Sequence, residues 1–194
     1  MGRVGLKQNL RKSILLYRTQ LDEVVYAARN EKIQNLCLDF MLQLQIQSFH
    51  TYLAIPKNKE PKTNQIIGES LALGREILVS RTDLKNHQML HYLFDPKIDL
   101  VSNNYGIPEP SSGIKKTLIG VDALIIPLLA IDKKGNRIGY GAGYYDELLS
   151  ELGGAKAHKI GLCLSAPLDF IPFAESHDVP LDFCITPNNI YKFS

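Results

Sequence analysis

The sequence predicts an α/β fold in which helices cover a mainly parallel central sheet. The first third of the chain has helical periodicity, and several short apolar runs typical of β-strands follow it. These runs alternate with further helical segments, an order that is typical of parallel sheets covered by helices. We expect a single domain that spans residues 1–194.

Two long helices are expected at the start of the chain. Apolar residues recur there at spacings of four and seven residues, which is the pattern of one buried helical stripe. These residues are Leu10, Ile14, Leu21 and Val25. Thr19 and Asp22 form an approximate capping box that would begin the second helix, which we expect to end near Leu44.

Six segments are predicted as strands, and the fourth is the clearest of them. They span residues 48–55, 76–80, 87–94, 122–129, 159–164 and 181–185. The run at 122–129 is almost continuously apolar, which suits a central parallel strand with both faces covered, and Pro127 marks its end. Further helices are expected from Thr63 to near Gly74 and from Tyr145 to Leu152, before Gly153-Gly154. Residues 95–117 are expected to form a long loop.

Composition and charge argue against several classes of function. The chain is 45% hydrophobic and 22% charged, its formal net charge is +2, and its Lys and Arg residues do not cluster, so we expect no nucleic-acid partner. Cys37, Cys163 and Cys184 lie far apart, without the spacing of a zinc site or a disulfide framework, and we expect reduced thiols. The sequence shows neither a leader nor an apolar run long enough to cross a bilayer. We therefore expect a cytoplasmic monomer that binds small molecules and no membrane.

The residues suited to chemistry are concentrated in the segment from Asp132 to Asp146. This segment follows the strongest strand and precedes a helix. It contains the alternate glycines Gly139, Gly141 and Gly143. Glycines let the backbone approach a ligand, and backbone N–H groups beside a helix N-terminus form an anion site. Arg137 adds a positive fork for phosphate, and the Asp146 carboxylate is suited to a magnesium ion that bridges phosphate oxygens.

Ordinary structural explanations are open for each of these residues when it is considered alone. Alternate glycines also occur in tight strand-to-helix turns that bind nothing, and the segment matches neither the Walker pattern nor the GxGxxG dinucleotide pattern. A carboxylate in the first turn of a helix, such as Asp146, is favoured by the helix dipole without any metal. Elsewhere the alternatives are a solvated basic helix face (Lys7, Arg11), a solvated loop carboxylate (Glu60), a turn carboxylate (Asp178), packing aromatics (Tyr144, Tyr145) and histidines without a role (His50, His87, His91, His158, His177).

The segment from Asp132 to Asp146 closely resembles the signature of the 5-formyltetrahydrofolate cyclo-ligase family, whose members are also called methenyltetrahydrofolate synthetases. The family pattern D-x-x-G-x-R-L-G-x-G-x-G-Y-Y-D is matched with Ile138 in place of Leu. Further resemblances extend over nearly the whole chain: Lys7-x-x-Leu10-Arg11, Glu60-x-x-Thr63, Ile107-Pro108-Glu109-Pro110 and His177-Asp178-Val179-Pro180-Leu181-Asp182. The resemblance implies a Rossmann-like three-layer α/β/α fold with a mainly parallel central sheet and long N-terminal helices.

The same resemblance implies the roles of individual residues. Arg137 and Tyr144 are expected to act in catalysis, and Asp146 and Asp178 to hold magnesium. The residues expected to bind ATP are Lys7, Arg11, Arg137, Ile138, Gly139, Tyr140, Gly141, Ala142, Gly143, Tyr144 and Tyr145. The residues expected to bind the folate are Ile55, Glu60, Tyr140, Gly141, Ala142, Gly143 and Tyr144.

The activity that the resemblance implies is the ATP-dependent closure of a ring on 5-formyltetrahydrofolate. The reaction would pass through a phosphorylated formyl group and give 5,10-methenyltetrahydrofolate, ADP and phosphate. Two alternatives are open: a non-catalytic nucleotide- or folate-binding protein of the same fold, and a sugar-phosphate isomerase of a related fold, which needs no ATP. The chain departs from the usual family residues at Ser80, Leu128, Ile131, Ala142 and Glu147.

Overall fold

The computed structural model describes residues 3–152, 156–173, 175 and 178–193. Its helices are α1 (Arg3–Thr19), α2 (Glu23–Gln43), α3 (Asn64–Ala72) and α4 (Tyr144–Glu151), with a 3₁₀ turn at Pro56–Asn58. Its strands are β1 (Ser48–His50), β2 (Glu76–Asp83), β3 (Gln88–Leu93), β4 (Leu100–Ser102), β5 (Pro108–Pro110), β6 (Lys115–Lys116), β7 (Ala123–Pro127), β8 (Ala130–Ile131), β9 (Arg137–Ile138), β10 (His158–Leu162), β11 (Phe183–Ile185) and β12 (Ile190–Lys192). Two long helices thus precede the first strand, as the sequence predicts.

One eight-stranded sheet organises these elements. Its order is β12-β11-β10-β7-β1-β2-β3-β6, and the five strands from β11 to β2 pair in parallel. β12 at one edge, and β3 and β6 at the other, join the sheet by antiparallel pairing. The fold class expected from the sequence, a mainly parallel α/β sheet, is confirmed.

Helices cover both faces of this sheet. α2 and α3 pack on one face, in a core that includes Ala123 and Ile125 of β7. α4 packs on the opposite face, in a core that includes Leu124 and Ile126. Because successive side chains of β7 enter different cores, both faces of the strand need apolar residues. This explains why the strand stands out in the sequence as a continuous apolar run.

The connections of the chain diverge between β1 and β7. From β1 the chain passes through α3 to β2 on one side, and from β7 it passes through α4 to β10 on the other side. In open α/β sheets, divergence of this kind leaves a crevice outside the carboxyl ends of the two strands, where ligands bind. The carboxyl ends of β1 and β7 are therefore the place to look for a site.

The start of the second helix differs from the prediction. Asp22 is the N-cap of α2, and its carboxylate accepts hydrogen bonds from the N–H groups of Val24 at 2.9 Å and Val25 at 3.3 Å. Thr19 instead ends α1, and its hydroxyl donates to the Leu16 carbonyl. The capping box expected from Thr19 is wrong because Asp22 stands one residue before the helix, where a side-chain oxygen reaches the unpaired N–H groups.

The predictions for residues 48–55 and 95–117 are also corrected, and three further short strands were not predicted. The first strand is shorter than the predicted 48–55, and the N–H of Ile55 bonds the Glu60 side chain rather than a neighbouring strand. Residues 95–117 are not a plain loop, because they contain β6 and the β4–β5 hairpin. β8, β9 and β12 were not predicted, and their two or three residues are too few to show a period of two. The predicted helix stop at Gly153-Gly154 lies outside the described residues.

The cysteines and the helices bear on two further expectations. Cys37, Cys163 and Cys184 are all buried and not disulfide-bonded, as predicted. None of the helices within the described part of the chain is both long enough and apolar enough to cross a membrane.

Candidate functional site

The glycine loop, defined as residues 139–143, lies between the β8–β9 hairpin and α4. Gly141 and Gly143 have φ angles of 98° and 82°, which residues with a Cβ rarely adopt, whereas Gly139 does not need a positive φ. Gly143 is the N-cap of α4, so the helix N-terminus begins at the loop. Flexible backbone beside a helix N-terminus is the geometry of an anion site.

α1 brings Arg11 against the glycine loop. The Arg11 Nε donates to the Gly139 carbonyl at 3.0 Å, and a Cβ added at Gly141 would lie 3.0 Å from the guanidinium carbon. Lys7, one turn earlier on α1, is half-buried. The apolar stripe of α1 packs on the β8–β9 hairpin around the fully buried side chain of Ile138. Any contact between Ile138 and a nucleotide is therefore limited to its backbone.

Arg137 and two carboxylates form a charged cluster beside the glycine loop. The Arg137 side chain is only 7% exposed, its Nη1 donates to the Val179 carbonyl at 2.7 Å, and its Nη2 pairs with the Asp146 carboxylate. Burial lowers the pKa of Arg137, while the charges of Asp146 and Asp178 oppose that shift. Asp146 is largely exposed, and Asp178 accepts a hydrogen bond from the Glu175 N–H at 2.9 Å. The structure thus brings Arg137, Asp146 and Asp178 together.

Glu60 is buried beside the glycine loop. Its side chain is 3% exposed, and its carboxylate accepts a hydrogen bond from the Ile55 N–H at 2.5 Å. Burial raises the pKa of Glu60, and the nearby Tyr140 hydroxyl, the Ile55 N–H and the positive charge of Arg18 act in the opposite direction. The alternative of a solvated loop carboxylate is therefore wrong, and Glu60, Ile55 and Tyr140 form one cluster.

The two tyrosines that follow the glycine loop have different surroundings. The Tyr145 ring lies 6.3 Å from the His50 ring between centroids, and burial raises the pKa of Tyr145 well above its ordinary value. The Tyr144 ring stacks on His87, with centroids 4.5 Å apart. His87 belongs to the turn between β2 and β3, so this turn reaches the start of α4. Ala142, between Gly141 and Gly143, is exposed.

Arg18 is a residue of this site that the sequence analysis missed. It is 3% exposed, and it donates from Nε to the Asn58 carbonyl at 2.7 Å and from Nη1 to the Leu128 carbonyl at 3.2 Å. Its Nη2 donates to the Tyr140 hydroxyl. One signal could have revealed it: Arg18 follows Ile14 by four residues and so falls on the apolar stripe of the first helix. A charge on a buried stripe indicates a buried hydrogen-bonding role.

A second missed group joins β1, β2 and β3. His50 is fully buried, its Nε2 lies 2.7 Å from the Ser80 hydroxyl, and that hydroxyl lies 3.0 Å from His91 Nδ1. Burial lowers the pKa of His50 to about 3 and that of His91 to about 4, so both rings are neutral near pH 7. Ser80, one of the positions where the chain differs from the usual family residue, thus supplies a hydroxyl that bridges two imidazoles. Spacing gave no signal, because the three residues lie on different strands.

Buried Glu60 and the glycine loop meet at the crevice between β1 and β7, with arginines from α1 and β9 beside them. This is the arrangement of α/β proteins that bind a phosphorylated ligand beyond the carboxyl ends of their strands. The chain belongs to the 5-formyltetrahydrofolate cyclo-ligase family, whose sequence model matches residues 3–187.

Individual relatives agree with this assignment. The chain is 29% identical over 187 residues to the 5-formyltetrahydrofolate cyclo-ligase of Mycolicibacterium smegmatis, covering 93% of each chain. It is 26% identical over 184 residues to the probable 5-formyltetrahydrofolate cyclo-ligase of Schizosaccharomyces pombe, covering 88% of this chain and 83% of the relative. Its fold is similar to that of 5,10-methenyltetrahydrofolate synthetase from Aquifex aeolicus, with a TM-score of 0.74 at 26% identity, covering 97% of this chain and 93% of the other. The family and the enzyme class expected from the sequence are confirmed.

Proposed function

We propose that the chain catalyses the ATP-dependent conversion of 5-formyltetrahydrofolate to 5,10-methenyltetrahydrofolate, with release of ADP and phosphate. One observation carries the proposal beyond family membership. The Tyr140 hydroxyl, which belongs to the glycine loop and accepts a hydrogen bond from Arg18, lies close enough to the buried Glu60 carboxylate to act on its pKa. An anion-binding loop suited to a nucleotide therefore lies beside a buried carboxylate suited to the N–H donors of a pterin ring.

The chemistry requires activation of the formyl oxygen, which is a poor leaving group. ATP would phosphorylate that oxygen, N10 of the folate would attack the activated carbon and lose its proton, and phosphate would leave. Phosphoryl transfer depends mainly on positioning and on neutralising charge. Arg11, Arg137 and the N–H groups of the glycine loop would neutralise the phosphates, and Glu60 would orient the folate. No side chain has to act as a covalent nucleophile.

Magnesium fits the residues that are present beside Arg137. Mg²⁺ is usually held by one or two carboxylates, with substrate phosphates and water completing its octahedral shell. Asp146 is largely exposed, and both Asp146 and Asp178 lie close enough to Arg137 to act on its charge. Within the described ranges no set of three or more His, Cys, Asp or Glu side chains is gathered for a metal, so nucleotide oxygens would have to supply further ligands. Bound there, magnesium would neutralise charge on the phosphate oxygens.

The proposal includes the setting of the protein. We propose a single-domain cytoplasmic monomer whose ligands are ATP and a folate, without nucleic acid or membrane as partner. The formal net charge of +2 supports the exclusion of nucleic acid, because phosphate backbones are bound by clustered positive charge. Size-exclusion chromatography with light scattering would test the oligomeric state.

A single omission experiment tests the function. The purified protein is mixed with 5-formyltetrahydrofolate, ATP and magnesium chloride, and the absorbance of the methenyl product is followed while each component is left out in turn. We expect an absorbance rise only in the complete mixture, with ADP formed in equal amount to the product. Turnover without ATP would contradict the proposal. Calorimetric binding of both ligands without turnover would instead identify a non-catalytic binding protein.

A further inference from the structure

Arg18 connects three segments of the site from inside the protein. Its guanidinium donates to the carbonyls of Asn58, in the 3₁₀ turn, and Leu128, just after β7. Its third contact is the Tyr140 hydroxyl in the glycine loop. A buried cation is costly unless its nitrogens are paired, and here each of the three guanidinium nitrogens donates one hydrogen bond, two of them to carbonyls and one to a phenol. The position of the Tyr140 hydroxyl is therefore set by a residue of α1.

The hydrogen bonds through Tyr140 have a fixed direction. An arginine has only donors, so the Tyr140 oxygen must accept from Arg18. The Tyr140 hydroxyl proton is then available to the Glu60 carboxylate, which lies close enough for the hydroxyl to lower its pKa. Arg18 also donates to the Asn58 carbonyl, two residues before Glu60, so one guanidinium holds both segments. Arg18, Tyr140 and Glu60 thus form one chain, which we call the Arg18 chain. Bonds in such a chain polarise and strengthen one another.

Two members of the Arg18 chain belong to the sites of different substrates under the proposed function. Tyr140 lies in the loop proposed for ATP, and Glu60 is the carboxylate proposed for the folate. Arg18 holds the Tyr140 hydroxyl from one side only, so nucleotide binding that orders the rest of the loop would restrict this hydroxyl further, and with it the orientation of Glu60. By linkage, folate binding would organise the loop for the nucleotide by the same factor.

We propose that the Arg18 chain couples the two substrates, so that each binds more tightly in the presence of the other. Arg18 is a positioning residue in this proposal, because it acts on both substrates through Tyr140. The proposal rests on the proposed function. Its readout is the ratio of the two folate dissociation constants, without and with nucleotide, rather than either affinity alone.

Isothermal titration calorimetry measures that ratio. 5-Formyltetrahydrofolate is titrated into the protein with and without a saturating β,γ-imido analogue of ATP and magnesium. For the parent protein we expect folate to bind at least about fivefold more tightly with the analogue, at the lower end of typical coupling. In Arg18→Lys, which loses the fork that reaches three acceptors, we expect a ratio close to 1, and the same in Tyr140→Phe.

Arg29→Lys is the matched control. Arg29 Nη1 donates to the Leu164 carbonyl at 3.1 Å and to the Tyr17 hydroxyl at 3.3 Å, the same kinds of acceptor that Arg18 uses. Because Arg29 is outside the Arg18 chain, Arg29→Lys should keep the parent ratio. Tyr140→Phe keeps the ring and its packing, so it serves as the second variant if circular dichroism shows that Arg18→Lys does not fold.

Two results would overturn the coupling. One is a ratio of 1 in the parent protein, and the other is a parent ratio that survives in every folded variant of the Arg18 chain. Both results leave the proposed function in place, provided the parent protein binds both ligands and turns over. Failure of the parent protein to bind ATP analogue or folate at all would instead remove the proposed function and the coupling with it.

Discussion

At the scale of single residues, Arg137 has two roles open to it. Its guanidinium donates to the Val179 carbonyl and pairs with Asp146, so it connects the segments on either side of the glycine loop. It also lies where it would neutralise a transferring phosphate. If it stabilises the transition state, Arg137→Ala should lower kcat/KM by about a hundredfold or more. A role in tying segments together would instead lower the melting temperature and leave kcat/KM of the folded enzyme unchanged.

Steady-state kinetics together with circular dichroism separate these roles of Arg137. The matched control is Lys133→Ala, which removes an exposed cation paired with exposed Asp169 in the same segment. Exposed ion pairs contribute little to stability, so we expect the parent kinetics and melting temperature from that variant. An Arg137→Ala enzyme with the parent kcat/KM would exclude the phosphate role.

The hydroxyl of Ser80 connects two histidines, and its removal should lower stability. It bonds His50 Nε2 and His91 Nδ1 at once, and His50 is fully buried. Ser80→Ala would leave both nitrogens without a partner, at a cost of about 1–3 kcal/mol for a buried unsatisfied group. Urea unfolding measures this loss. Ser13→Ala, whose exposed hydroxyl bonds within α1, should change stability by less than about 0.5 kcal/mol. Equal effects of the two substitutions would show that the Ser80 bridge contributes nothing.

Sequence and structure agree least for residues whose roles depend on burial. Glu60, considered alone, was expected to be a solvated loop carboxylate, and Arg18 received no role. The place of Arg18 on the apolar stripe of the first helix indicates burial, but spacing does not reveal its partners, which are 40, 110 and 122 residues away along the chain. Arg11, which the resemblance implies contacts ATP phosphates, lies against the glycine loop, and that contact with ATP stays a prediction.

At the scale of elements, the strands that the sequence predicts are those that lie within a longer apolar or β-favouring run. β7 was recognised because five residues that alternate between two cores leave a long apolar run. The two-residue strands β6, β8 and β9 carry no such pattern, and their pairing is set by neighbouring segments. The β8–β9 hairpin matters for the site, because Arg137 lies on β9 and the glycine loop follows β9, so the hairpin places both near the carboxyl end of β7. Its existence depends on tertiary contacts that the sequence pattern does not contain.

The glycine loop itself gives a prediction at this scale. At Gly141 a side chain would meet two obstacles: φ is 98°, and a Cβ would lie 3.0 Å from the Arg11 guanidinium carbon. Gly141→Ala should therefore destabilise the protein by about 1–2 kcal/mol and also displace Arg11 from the loop. We expect weaker binding of the ATP analogue by calorimetry, by about tenfold if one phosphate contact worth about 1.4 kcal/mol is lost.

Gly120→Ala is the control for backbone strain. Gly120 has a φ of 84°, but nothing lies within 4 Å of a Cβ there, and it lies before the amino end of β7, whereas the glycine loop lies beyond the carboxyl end. Its substitution should cost similar stability and leave nucleotide affinity at the parent value. If both variants bind the analogue as the parent does, Arg11 and Gly141 do not form part of the nucleotide site.

At the scale of the whole molecule, the site is assembled from parts that no single element provides. α1 supplies Arg11 and Arg18, the segment after β1 supplies Glu60, and the segment after β7 supplies the glycine loop. These parts meet because the connections from β1 and β7 run to opposite sides of the sheet and leave a crevice between them. Folding and site formation are therefore one event, and conditions that weaken the fold near β1 act on the site as well.

Acid is such a condition, because β1 and β3 carry two histidines that the fold keeps neutral. Burial lowers the pKa of His50 from 6.5 to about 3 and that of His91 from 6.5 to about 4. Below about pH 6.5 these two histidines bind protons in the unfolded chain but not in the folded chain. The free energy of unfolding therefore falls as pH falls. The slope from fully buried His50 approaches about 1.4 kcal/mol per pH unit, and that from partly exposed His91 is smaller.

Urea unfolding at pH 7, 6 and 5 in parent and His50→Gln proteins tests this dependence. The pKa of Asp122 is lowered from 3.8, so its contribution to the free energy of unfolding is lost only below this pH range. The raised pKa of Glu60 makes the free energy of unfolding rise as pH falls, and it does so in both proteins. The difference between the two proteins therefore isolates His50. We expect the parent to lose stability more steeply below about pH 6.5 than His50→Gln does. Parallel curves for parent and His50→Gln would mean that His50 can take up a proton in the folded state, and the buried imidazole would then not be the cause of acid sensitivity.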